Sequence, residues 1–267
     1  MERVEAPPRR GFGATARRDL WWIQPLAVFC GLSTFIVYST WAAFQAKNYH
    51  FGPYLSPFYS PEFFGDSPHA IFGPKPGWWP SRIPFSPAFL ILWAPAGFRF
   101  TCYYYRGAYY KAFWGDPPSC GVGEARKSYW GEASFPLILQ NFHRYFFRLA
   151  QIILLVLAWD VWKALWFTDP ATGQTHFGVG MGTVILATNV VLLSMYTFGC
   201  HSMRHLIGGR KDELAKCSPV RGKAYNCVSC LNRKHMLYAW CSLFSVGFSD
   251  VYVRLCAMGI WHDLRFL

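Results

Sequence analysis

The chain has 267 residues, a formal net charge of +12, 53% hydrophobic and 19% aromatic residues. Only 15% are charged, against about 25% in soluble domains. That balance excludes an ordinary soluble enzyme and a nucleic-acid-binding partner, because positive charge confined to loops between apolar runs is the positive-inside pattern of a polytopic membrane protein.

Residues 1–19 read as a cytoplasmic tail carrying Arg3, Arg9, Arg10, Arg17 and Arg18, with no signal-peptide pattern before the first apolar run. An anchor domain is expected over about 20–262, as an all-α bundle of five transmembrane helices. The first spans about 20–46, with Trp21, Trp22 and Trp41 at interfacial depth. The connection 47–86 is rich in Pro, Gly and aromatics; its length predicts an ordered cap on the outer membrane surface. A second helix follows over about 87–114, kinked at Pro95, and a third over about 135–167. The fourth covers about 177–206, and a basic loop, 207–231, carries Arg210, Lys211, Lys216, Arg221 and Lys223. The fifth covers about 232–261, leaving a short tail at 263–267. Alternating loop charge puts the N-terminus and both basic loops in the cytoplasm and the C-terminus outside. Nine cysteines scattered over helices and one loop are not a secreted disulfide framework.

The stretch Tyr196–His205, YTFGCHSMRH, concentrates ligand chemistry: Cys200, His201, Arg204 and His205 at the end of the fourth helix. Taken as one helix, its polar residues form a single face, which in a membrane turns inward. Cys102 on the second helix, His143 on the third and His235 on the fifth fall at the same cytoplasm-proximal level. Four consecutive helices therefore each bring a Cys or a His to one depth. Three metal readings follow. Two haems would need histidines at two depths, and no outer-leaflet intrahelical histidine exists. One haem b is open to two of His143, His201, His205 and His235. Two thiolates with two imidazoles, Cys102, Cys200, His143 and His235, are the ligand set of a Rieske-type [2Fe–2S] centre. A purely structural reading is also open, since cysteine packs as a small apolar residue and histidines bridge helices. Cys217, Cys227 and Cys230 precede His235 at spacings that could close a zinc tetrahedron.

Five stretches, PYLSPFYSP, FRFTCYYYRGAYY, LILQNFHRYFF, CHSMRHLIGGR and LNRKHMLYAWCSL followed by DVYV, resemble the membrane-anchor subunit of succinate:quinone oxidoreductases in its five-helix, single-chain actinobacterial form. The resemblance covers roughly Trp21 to His262. It implies a bacterial inner-membrane protein beneath a flavoprotein subunit carrying FAD and an iron–sulfur subunit with further clusters, passing electrons from succinate to membrane quinone. Succinate oxidation itself would then lie on a partner. Quinone reduction needs an apolar slot among lipids, hydrogen-bond partners for the carbonyls and a proton supply. Tyr103, Arg106, Arg144, His201, Arg204 and His205 lie at the level to provide them. The reading from another class is a non-redox membrane scaffold or assembly protein.

Overall fold

The computed structural model describes residues 11–103, 105, 117–124, 126, 128, 130–135, 137–169, 172–209 and 219–267. Helix α1, Ile23–Gln45, has no charged residue along its length, and its proline sits in the first turn where a missing N–H costs nothing. A 3-10 turn at Pro87–Leu90 leads into α2, Trp93–Phe100. A second 3-10 turn, Leu137–Phe142, feeds α3, His143–Lys163. Then come α4, Met181–Phe198; α5, His201–Gly208; α6, Pro219–Arg233; and α7, His235–Ala257. Two small antiparallel hairpins complete the described elements: β1 (His50–Phe51) with β2 (Tyr54–Leu55), and β3 (Trp166–Thr168) with β4 (Thr175–Phe177).

Four stretches are long and apolar enough to cross a membrane: Ile23–Gln45, Leu137–Lys163, Met181–Phe198 and His235–Ala257. Their exposed surface carries Val37, Leu155, Trp159, Val191 and Phe244, side chains suited to lipid rather than water. The protein is thus a mostly helical, multi-pass membrane protein. The fifth expected span, 87–114, reaches into residues 106–114, outside the described residues; its described part is the 3-10 turn and α2.

Two expectations change. The fourth helix, expected as one piece over 177–206, breaks between α4 and α5. Gly199 ends α4, and Cys200 adopts an extended conformation (φ −67°, ψ 147°) as it starts α5. Of the basic loop 207–231, residues 219–231 belong to the helix α6, started by Pro219 at a position where proline is already set for helix.

The chain divides into two compact units. One comprises Met1–Tyr38 and Ala96–Phe146, the other Ser39–Pro95 and Phe147–Leu267. In the first, Gly97 lets the Phe146 ring lie directly on α2, where any Cβ would collide with it. In the second, α4 packs along α7. A buried cluster of Tyr54, Ala164, Phe167, Leu186 and Val253 ties the connection 47–86 to α3, β3 and these two helices. Within the connection, Tyr49, Tyr54, Phe58 and Tyr59 are buried. The Ser86 hydroxyl is buried there with no hydrogen-bond partner among the described residues, whereas several buried carboxylates of this unit are paired. Asp263 accepts hydrogen bonds from Tyr54 Oη (2.8 Å), Tyr252 Oη (2.7 Å) and the Gly182 N–H (2.9 Å), placing a carboxylate at the start of α4. Arg254 donates to Asp250 (2.7 Å) and to the carbonyls of Ala42 (3.0 Å) and Lys47 (2.9 Å), closing the C-terminal end of α1.

Candidate functional site

Within the first unit, α2 and the start of α3 bring Cys102 and His143 to one locality. The His143 ring stacks on Phe98 at 4.6 Å between centroids, with 11° between planes. Its Nδ1 lies 3.1 Å from the Thr101 hydroxyl. That hydroxyl has one proton, and the carbonyl of Gly97, 2.7 Å away, takes it. The Thr101 oxygen therefore accepts from Nδ1–H, which puts a proton on Nδ1 of the ring. Stack and hydrogen bond together hold the ring in one orientation. Cys102, next in sequence to Thr101, is 2% exposed, and His143 is 8% exposed. Sequence reasoning missed Thr101; its signal was a hydroxyl one turn after Gly97 and adjacent to a candidate thiolate.

Within the second unit, Cys200 and His235 sit at one junction. Cys200 occupies the break between α4 and α5, and His235 begins α7 immediately after the turn that ends α6. Two contacts join the breaks: Asn232 Nδ2 donates to the Gly199 carbonyl (2.8 Å), and Tyr196 stacks on His235 (5.0 Å, 19°). Gly199 is required there, because a Cβ would lie 2.6 Å from the Met195 carbonyl and 3.3 Å from Leu231. Cys200 is 2% exposed. The break, rather than a continuous polar face, is what brings Cys200 and His235 to the same place.

The remaining expected residues are dispersed. His201 and His205 face each other one turn apart on α5, Nε2 to Nε2 at 3.1 Å, and both are exposed. Partial burial, then the neighbouring His205 and Arg204, push the His201 imidazole below its ordinary pKa. Arg204 turns to α6, donating to Tyr225 Oη (2.9 Å) with its guanidinium 5.3 Å from that ring's centre. Arg221 is spent within the fold, its guanidinium bonded to the carbonyls of Ile207 and Gly209 at the end of α5. Tyr103 is exposed, and Arg144 is exposed against its neighbour Tyr145. Cys227 and Cys230 are exposed, one turn apart on α6. Arg106, Cys217, Arg210, Lys211 and Lys216 lie outside the described residues. Among the described residues no three His, Cys, Asp or Glu side chains gather into a group that could hold a metal ion; the four expected ligands fall two by two into the two units.

No curated protein sequence matches the chain. It is similar to a chain of the solved Mycobacterium smegmatis Sdh1 complex in the apo form, with 44% identity over 97% of each chain and a TM-score of 0.84. Residues 23–259 match the profile of the actinobacterial succinate dehydrogenase subunit SdhC, and the chain belongs to that family.

Proposed function

We propose that this anchor passes electrons from succinate oxidation to membrane quinone, with Cys102, His143, Cys200 and His235 holding one Rieske-type [2Fe–2S] cluster. As a succinate dehydrogenase subunit, the chain works with a flavoprotein subunit, an iron–sulfur subunit and quinone in a bacterial inner membrane, among lipids. FAD and the other clusters reside on those partners. The observation that carries the finer reading is that each unit contributes one buried thiol, Cys102 or Cys200, and one ring-stacked imidazole, His143 or His235. The donor set fits such a cluster, and two neutral imidazoles leave less net charge to bury than four thiolates. When bound, the cluster would supply a one-electron relay whose potential is raised by imidazole ligation.

This chain's own residues do the rest. Thr101 and Phe98 orient His143, and Tyr196 orients His235. At the quinone site, Tyr103, Arg106, Arg144 and Arg204 serve as hydrogen-bond partners. His201 and His205 hold a proton between their Nε2 atoms, ready for a reduced quinone oxygen. The positive-inside pattern puts the N-terminus and the α5–α6 region in the cytoplasm and the C-terminus outside, with that region docking the soluble subunits.

The test is the intact complex carrying His143→Ala or His235→Ala. Quinone reduction is lost, while succinate oxidation by a soluble artificial acceptor persists. A Rieske-like EPR signal and labile sulfide disappear in Cys102→Ser and Cys200→Ser. Stoichiometric haem b with sharp visible bands, unmoved by either cysteine change, would replace the cluster reading.

A further inference from the structure

We infer that His201 and His205 form a chelating site for a borderline divalent transition cation of the zinc, nickel or copper class, through which such a cation inhibits quinone reduction. The regulatory half rests on the quinone-site reading above; the binding half does not. Both imidazoles are exposed and stand on adjacent turns of α5, with their Nε2 atoms 3.1 Å apart and ring planes at 82°. At that distance one Nε2 carries the proton and the other the lone pair, so the two nitrogens point into the same small volume. Nitrogens about 2.05 Å from a common cation and 3.1 Å apart subtend an angle of about 98° at it. That chord suits two cis ligands of a four- to six-coordinate ion, with water completing the shell.

Binding requires only that the shared proton move from Nε2 to Nδ1 of its own ring. Both Nε2 lone pairs then face the ion, and no proton is lost from a neutral pair. Selectivity follows from ligand softness: imidazole prefers copper, nickel and zinc, whereas magnesium and calcium prefer oxygen. Arg204 lies between the two histidines in sequence, but its guanidinium is drawn to Tyr225 on α6. It lowers the affinity without occupying the site. A cation on the pair removes the proton carried between the two rings, and with it the supply to the quinone oxygen.

The experiment uses the detergent-solubilised complex, stripped with a chelator and titrated with zinc by calorimetry. One zinc per anchor chain is expected at micromolar concentration, uncontested by excess magnesium. His205→Gln and His201→Gln should each weaken binding by more than about a hundredfold, beyond the roughly 10–100-fold that loss of an outer-shell partner causes. Thermal unfolding of each variant confirms that the fold is kept. Zinc at the same concentration should slow quinone reduction in the unmodified complex and spare succinate oxidation by a soluble acceptor. The residual quinone reduction of either variant should be insensitive to it. No stoichiometric uptake, or uptake unchanged in both variants, overturns the site. Uptake without inhibition overturns the regulatory role, and with it the placement of the pair in quinone chemistry.

Discussion

Where α4 begins and α7 finishes, Asp263 takes three hydrogen bonds, the Asp250–Arg254 pair is buried and bonded on both sides, and Glu62 accepts from Tyr49 (2.8 Å) and Ser67. Where α4 finishes and α7 begins, the Arg204 Nε and the Ser229 hydroxyl are buried with no hydrogen-bond partner among the described residues. Both helices break at this end, at Gly199–Cys200 and at Lys234. A buried polar group without a partner costs on the order of 1–3 kcal/mol, so natural folds keep few of them. The first end is closed as a structural cap. The second holds the thiol, the imidazoles and the chain breaks, and local irregularity of that kind collects where a chain binds something.

The largest effect should come from breaking the closed end. Arg254→Ala leaves Asp250 buried and charged, and strips the α1 terminus of two donors. A loss of about 3–5 kcal/mol in stability is expected from removing one partner of a buried pair. Thermal unfolding of the complex measures it. Electron transfer per folded complex should be unaltered, since no proposed ligand lies in this network. A large drop in quinone reduction at unchanged stability would contradict the division between the two ends.

How much of this was readable in advance follows from what each signal depends on. The four spans are long apolar runs with few charged residues, and composition alone carries them. The break at Gly199 had a local sign, a glycine inside a helical pattern, but the polar periodicity running past it argued for continuity. Helix α6 was hidden because its positive charge reads as loop, although Pro219 marks its start. The Asp250–Arg254 pair has helical i, i+4 spacing within an apolar run, which was visible. Its use as a cap for α1 depends on a contact across more than two hundred residues, which no local pattern encodes. The same holds for Thr101 on His143, a pairing 42 residues apart.

A smaller effect is expected in the first unit, from Thr101→Val. The isosteric change removes the acceptor for His143 Nδ1–H and should cost about 1–2 kcal/mol of stability. Its diagnostic consequence is electrochemical. A hydrogen-bonded N–H makes an imidazole a stronger donor to a metal and favours the oxidised state. Losing the bond should raise the midpoint potential of the centre held by His143 and shift its EPR spectrum. Thr101→Ser should restore both. An unchanged potential in Thr101→Val would reduce Thr101 to a packing role.

The smallest effect is expected at Asn189, which lies on α4 between the two ends. Its side chain is 1% exposed, and neither the amide oxygen nor the nitrogen has a hydrogen-bond partner among the described residues. An isolated amide between apolar helix faces opposes folding, and replacing it by an apolar group of similar volume removes that penalty. If Asn189 belongs with the closed end and does no chemistry, Asn189→Leu should leave thermal stability unchanged or raise it by about 1 kcal/mol, with quinone reduction intact. A stability gain accompanied by slower quinone reduction would move the boundary instead. The cost of burying an unpaired amide would then be retained for function, and the working end would reach halfway along α4 rather than stopping at Tyr196.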